Sequence, residues 1–228
     1  MSLRYQLILF LLFGILAILF TIWLKKKGKL STVYTRKIFH ILIFTAAGLI
    51  VLYLETMTIF LYGFIISCLI LITLYVLRNS RFFEALTRES DRSKGNLHII
   101  LPLVCTAVGG AVSVLFFGKL AMIGFLVTGW GDGLADPIGT CWGKHKFRAA
   151  SWDNEKRYKS MEGSSAVLIF AFIAATVSTV LLGYSVMEIF PTLLLISIVA
   201  VLVEAFSFPG TDNLTIQIAA SGIGFLMI

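Results

Sequence analysis

Eight long apolar runs, at roughly 5–24, 38–54, 56–77, 97–117, 120–139, 163–183, 189–206 and 214–228, leave little room in this chain for anything else. A stretch of that length and polarity reads as a helix in lipid, because hydrocarbon offers no partner for backbone N–H and C=O groups and a crossing takes roughly 20 apolar residues. Composition agrees: 58% of the 228 residues are hydrophobic, only 14% are charged, and the mean hydropathy is +0.94. The reading is an all-α, polytopic transmembrane bundle of about eight helices forming a single membrane domain over 1–228. The first run is too long for a signal-peptide core, and its basic cluster follows it, so it reads as a retained helix. The last run holds 15 residues, short for a full span, so seven helices plus a partial one is the alternative count.

The net charge of +7 would suggest nucleic acid in a soluble protein, but its distribution excludes that. Seventeen of the nineteen basic residues fall in three loops: 25–37 (Lys25, Lys26, Lys27, Lys29, Arg36, Lys37), 78–96 (Arg78, Arg81, Arg88, Arg92, Lys94) and 140–162 (Lys144, Lys146, Arg148, Lys156, Arg157, Lys159). These alternate with loops that hold almost none. Positive charge follows the cytoplasmic side, which places the three loops inside and the N-terminus outside, in contact with anionic membrane lipids. The three cysteines, Cys68, Cys105 and Cys141, lack the spacing of a disulfide framework or a zinc site and read as packing residues.

Carboxylates inside apolar runs need a reason, since each costs about 2.5–3.5 kcal/mol at a bilayer centre on insertion scales. Asp132, Asp136 and Glu204 are such residues, with Glu162 opening the sixth run and Asp212 preceding the eighth. Counting from residue 120, Asp132 lies about 18 Å and Asp136 about 24 Å from the outer face at 1.5 Å per residue. All five carboxylates therefore share the inner depth. On a helix Asp132 and Asp136 stand at i and i+4, on one face, where two carboxylates suit Mg²⁺ held together with substrate phosphates. Gly129, Gly131, Gly133 and Pro137 argue against a continuous helix there and for backbone that a phosphate approaches closely.

The following loop supplies cations. Lys144 and Lys146 follow Gly139 and Gly143, and Lys159, Ser160, Glu162 and Gly163 stand at the mouth of the sixth run, where a helix N-terminus favours anions. Lys159 and Ser160 are candidates for a nucleotide phosphate, and Glu162 for metal or for orienting Lys159. Arg36, Lys37 and His40 open the second run at the same depth, with His40 one turn from Arg36. His98 and His145 carry no assignment.

These segments resemble a known family. Gly131-Asp132-Gly133-Leu134-Ala135-Asp136-Pro137-Ile138-Gly139, then Gly143-Lys144-His145-Lys146, then Lys159-Ser160-Met161-Glu162-Gly163-Ser164, are similar to the polyprenol kinases (phytol kinase and dolichol kinase), relatives of the CDP-diacylglycerol synthases. Arg36-Lys37-Ile38-Phe39-His40 resembles the family's R-K-x-x-H, and Val203-Glu204-Ala205 with Asp212-Asn213-Leu214-Thr215 its V-E-A and D-N-L-T elements. Thr140 and Cys141 stand where basic residues are usual, and Met161 replaces a tryptophan. The resemblance implies transfer of a phosphoryl group from CTP, or another nucleoside triphosphate, to a long-chain isoprenoid alcohol with Mg²⁺ as cofactor. It implies a site from Asp132, Asp136, Lys159 and Glu162, with Glu204, Asp212 and Asn213 as further candidates. A lipid-phosphate cytidylyltransferase and an ion-coupled transporter are the alternatives.

Overall fold

A computed structural model describes residues 3–28, 30–76, 96–151 and 157–228. The second basic loop, together with Lys29 and Lys156, lies outside the described residues. In chain order the elements are α1 (Leu3–Lys27), α2 (Thr32–Ile50), α3 (Thr56–Val76), α4 (Asn96–Phe117), a 3₁₀ turn (Gly118–Leu120), α5 (Ala121–Val127), a π-helical turn (Thr128–Asp132), α6 (Gly133–Trp142), strands β1 (Lys146–Ala149) and β2 (Arg157–Ser160), α7 (Met161–Leu181), α8 (Phe190–Phe206) and α9 (Asp212–Met227).

Each apolar run is a helix, and the architecture is an all-α membrane bundle. Among the described residues, Thr32–Ile50, Ile100–Trp142 and Met161–Leu181 are long and apolar enough to cross a membrane. The 43-residue stretch from Ile100 to Trp142 is about 64 Å of helix at 1.5 Å per residue, twice a hydrocarbon core. It folds back on itself at Gly118, whose φ of +55° suits glycine, and Phe125 of α5 then lies against Gly110 of α4. α9 is 16 residues, about 24 Å, and so is short of a full crossing, as its sequence implies. Much of α1 is apolar and exposed, with Ile15, Leu16, Leu19, Phe20 and Trp23 all outward, which fits a lipid-facing helix.

Small residues set the helix spacing, as expected where lipid supplies no hydrophobic drive for helices to associate. α5, wholly buried, is the central element, packed by α2, α7 and α9. Phe44 of α2, Leu126 of α5, Ala171 and Ala174 of α7 and Ile216 of α9 meet in the core around it. A Cβ at Gly109 would stand 2.7 Å from the Leu214 backbone, and one at Gly124 would overlap Ser221 and the Gln217 carbonyl.

One feature of the fold is not visible in the hydropathy pattern: β1 and β2 form an antiparallel hairpin with Lys146 opposite Ser160 and Arg148 opposite Tyr158. Four residues per strand are too few to register as an alternating run. The hairpin is tied to α7 because Met161 N–H donates to the His145 carbonyl at 2.9 Å.

Gly109→Ala must push α4 away from α9 backbone, so we expect a loss of about 1–3 kcal/mol, read as a lowered melting temperature in detergent. Gly14→Ala, with nothing within 4 Å of its new Cβ, should leave stability unchanged or slightly raised, and equal melting temperatures for the two variants would contradict the packing.

Candidate active site

The segment carrying Asp132 and Asp136 stays helical throughout, contrary to the break expected from its glycines and proline. It widens instead into one π turn at Thr128–Asp132 before α6 resumes. Such wide turns free backbone carbonyls and recur at functional sites. Here side chains of α2 reach carbonyls of that turn: Lys37 Nζ donates to the Asp132 carbonyl at 2.8 Å, and His40 Nε2 lies 3.3 Å from that of Thr128. Trp130 Nε1 adds a third tie, donating to Thr45 Oγ1 of α2 at 2.8 Å.

The same lysine holds both aspartates. Lys37 Nζ is 2.7 Å from Asp132 Oδ2 and 3.4 Å from Asp136 Oδ2, so the i, i+4 pair does share a face. Arg36 adds a second cation on Asp136, at 3.1 Å, while His40 Nε2 stands 3.6 Å from Asp132. Lys37 and Asp132 are almost fully buried, their side chains 6% exposed each, whereas Asp136 keeps 35%. Asp132 is therefore an internal counter-ion, and Asp136 is the aspartate that faces solvent.

Glycines 131 and 133 do not stand where a phosphate would meet them. Gly131 lies against Val167 and Ala171 of α7, and a Cβ at Gly133 would be 2.5 Å from Ile41 Cγ1 of α2. Both face neighbouring helices rather than the cleft, and at Gly133 the contact demands a glycine, which departs from the expectation that they cradle phosphate. Gly139, Gly143 and Gly163 are different. They surround Ser160, with Cβ atoms at Gly139 and Gly143 falling 2.9 and 2.7 Å from its Oγ, and one at Gly163 3.2 Å from it. Ser160 is the N-cap of α7 and accepts from Gly163 N–H at 3.1 Å. With Met161 N–H also engaged, two of the first three amides of α7 already have partners, so anion binding there falls mainly to side chains.

A cleft of about 330 Å³ opens beside these glycines, lined by Ala135, Asp136, Gly139, Thr140, Gly143, Lys146, Tyr158, Lys159, Ser160, Gly163, Ser164 and Glu204. Lys159 reaches across from β2 to α8, where it donates to the Glu204 carboxylate and to the Glu204 carbonyl. Glu204 is thus the partner of Lys159, and Glu162 is not: Glu162 instead accepts from His145 N–H at 3.2 Å and pairs with His145 Nδ1 at 2.7 Å, closing the hairpin mouth. Asp212, at the start of α9, lies within electrostatic reach of Asp132, Lys37, Lys159 and Arg157, and Arg157 donates to the Ser207 carbonyl at 3.4 Å. The five carboxylates that share a depth in the sequence therefore converge laterally as well, save that Glu162 turns toward the hairpin.

Lys144 is exposed and outside the cleft lining, and Asn213 turns into the α4–α9 contact, where its Nδ2 donates to Thr106 Oγ1 at 2.7 Å. Tyr158, Thr140, Ala135 and Ser164 line the cleft without having been singled out as site residues. Ala135, within the Gly131–Gly139 string, and Ser164, the last residue of the Lys159–Ser164 string, carry a signal, whereas the hairpin that brings Tyr158 in leaves no periodicity. Asp136 with a nucleotide's phosphate oxygens is a donor set that a hard divalent cation accepts. Asp132, already held by Lys37, adds little to it, and no cluster of three or more His, Cys, Asp or Glu side chains suited to a metal occurs among the described residues.

No family model and no solved structure matches the chain. One curated protein does: a phytol kinase from Synechocystis sp., 34% identical over 121 residues, which are 52% of this chain and 48% of that protein. The chain spans about half the length of the curated relative it matches. Over that stretch it is homologous to a phytol kinase, in agreement with the polyprenol kinase family that its motifs resemble.

Proposed function

We propose that the chain is an isoprenoid-alcohol kinase that transfers the terminal phosphoryl group of CTP, or another nucleoside triphosphate, to a long-chain alcohol of the phytol or polyprenol type. The observation that carries this reading is the cleft itself. Asp136, Lys146, Lys159 and Glu204 line the pocket, and the ion pairs of Arg36 and Lys37 with the aspartates, with Asp212 in electrostatic reach of Lys37, Lys159 and Arg157, continue that charge cluster behind it. Phosphoryl transfer asks mainly for positioning and charge neutralisation, which such a cluster supplies. The likeness to a phytol kinase supports the acceptor class.

In this reading Lys146 and Lys159 take the phosphate oxygens, and Asp136 with those oxygens holds Mg²⁺. When bound, the cation neutralises charge on the phosphates and fixes their geometry. Lys37 and Asp132 act from beneath: their buried pair sets where Asp136 points. Glu204 holds Lys159 toward the cleft and offers a carboxylate on its floor to receive the acceptor's proton. Thr140 and Tyr158 border the mouth, where the nucleoside enters. The isoprenoid tail stays among the apolar helix faces, and only its hydroxyl reaches the cleft.

The positive-inside pattern supports a cytoplasmic cleft and an outside N-terminus, with seven full crossings and a partial eighth. An impermeant maleimide applied to right-side-out vesicles of a cysteine-free background should label Tyr53→Cys and spare Lys144→Cys. The reverse pattern would invert the topology.

Membranes carrying the protein, given CTP labelled at the α or γ position and long-chain isoprenoid alcohol, should move only the γ label into lipid. Transfer of the α label would identify a cytidylyltransferase instead. Asp136→Asn should abolish that transfer at near-native melting temperature. Asp132→Asn should abolish it and also unfold the protein more easily, by about 3 kcal/mol, because buried Lys37 loses its nearest counter-charge and keeps only Asp136 at 3.4 Å. Full activity in Asp136→Asn would remove the cation assignment, and an unchanged melting temperature in Asp132→Asn would remove the structural one.

A further inference from the structure

Most hydroxyls with a described partner in this bundle bond to their own helix, and four buried ones among the described residues, those of Ser113, Thr128, Ser164 and Ser221, have no partner. Along α7, Ser165 donates to the Met161 carbonyl at 2.8 Å, Thr176 to Phe172 at 2.8 Å, and Ser178 and Thr179 to carbonyls of Ala174 and Ala175 at 2.8 and 2.9 Å. Thr45, Thr106 and Ser197 do the same on α2, α4 and α8. This back-bonding is the easiest resolution for a helical Ser or Thr in an apolar setting. Of those four, Ser164 is the one that lines the cleft: the residue is 9% exposed and its Oγ is buried without a hydrogen-bond partner. A buried hydroxyl left unmatched costs about 1–3 kcal/mol, so its position calls for a partner that arrives from the cleft.

Depth says which partner. α7 runs inward from Met161 at the mouth, so Ser164 lies one turn, about 6 Å, below the Ser160 cap. α6 runs outward, so Ala135 and Asp136 are deeper than Gly139, Thr140 and Gly143. Lys146 and Tyr158 stand on the hairpin at the rim. The lining is therefore graded, with Lys146 and the glycine collar toward water and Ser164, Ala135 and Asp136 one turn deeper. An anionic donor entering from water finds lysines first. Its terminal phosphate then reaches Ser164, a neutral hydroxyl in a lining that also holds the Glu204 carboxylate. A hydroxyl both donates and accepts, the complement of an alcohol, and a carboxylate has lone pairs to spare beyond those Lys159 takes.

Resting on the kinase reading above, we infer that Ser164 is the residue that hydrogen-bonds the hydroxyl of the acceptor alcohol and positions its oxygen against the terminal phosphate. Its role is in acceptor binding and alignment, separate from the nucleotide contacts of Lys146 and Lys159.

Full-length protein in nanodiscs provides the test, with initial rates measured against nucleotide and against a long-chain isoprenoid alcohol separately. Ser164→Ala should raise the KM for the alcohol about 5- to 10-fold while leaving the KM for nucleotide within twofold, and Ser164→Thr should restore most of the loss. An unchanged alcohol KM, or a rise confined to nucleotide, overturns the inference while the wild-type activity keeps the kinase reading intact. Wild-type protein that phosphorylates no alcohol sinks that reading instead. A binding measurement keeps the test independent of turnover: in a background with the three native cysteines replaced by serine, alkylation of Ser164→Cys should be slowed by the alcohol alone and not by nucleotide alone. Protection by nucleotide only would assign the position to phosphate.

Discussion

The ion pair between Lys37 and Asp132 is the interaction on which the rest of the site depends. Two charges, each nearly out of reach of solvent, are stable there only because they face one another at 2.7 Å and because the lysine has a backbone carbonyl of the same residue at 2.8 Å. That arrangement is a joint between α2 and the turn that precedes α6. Once it is made, Asp136, one turn further on, is within 3.4 Å of the same ammonium and 3.1 Å of Arg36, and has no freedom to turn from the cleft. A carboxylate deep in an apolar run, costly by itself, thus becomes the anchor that orients the one that faces solvent.

The joint closes only because the helices come close enough. A side chain at Gly129 would collide with Phe44 and one at Gly133 with Ile41, both on α2. The π turn between these glycines then turns the Thr128 and Asp132 carbonyls toward His40 and Lys37. Packing and polarity are solved by the same few residues: glycine provides the approach, and the two side chains of α2 provide the partners that lipid cannot.

Much of this was legible in the sequence, and the failures have physical causes. The helices were legible because a span of hydrocarbon imposes a length on every run, and Asp132, Asp136 and Glu204 stood out because their burial demands a reason. The i, i+4 spacing of the two aspartates put them on one face, where the sequence reading expects Mg²⁺, and the cation the structure brings to both is Lys37. The glycines 131 and 133 were misread because close approach of backbone to a phosphate and close approach of helix to helix leave the same mark on a sequence. Glu162 was assigned to Lys159 by proximity in the chain, whereas the hairpin turns Lys159 across to Glu204 and leaves Glu162 with His145. The hairpin itself, with four residues per strand, carries no periodicity long enough to read, and so Tyr158 was invisible as a lining residue.

Ser160 ends β2, caps α7 and fills the space among Gly139, Gly143 and Gly163 with a single oxygen. Wall and helix cap are therefore one object. A methyl group added at Gly139 or Gly143 reshapes the pocket only by displacing the atom that satisfies Gly163 N–H, so a local change in the wall becomes a change in how α7 begins. These four positions are constrained to vary together or not at all. Divergence in what the cleft accepts has to come from the neighbouring lining side chains of Thr140, Lys146 and Tyr158, which can be exchanged without unseating a helix.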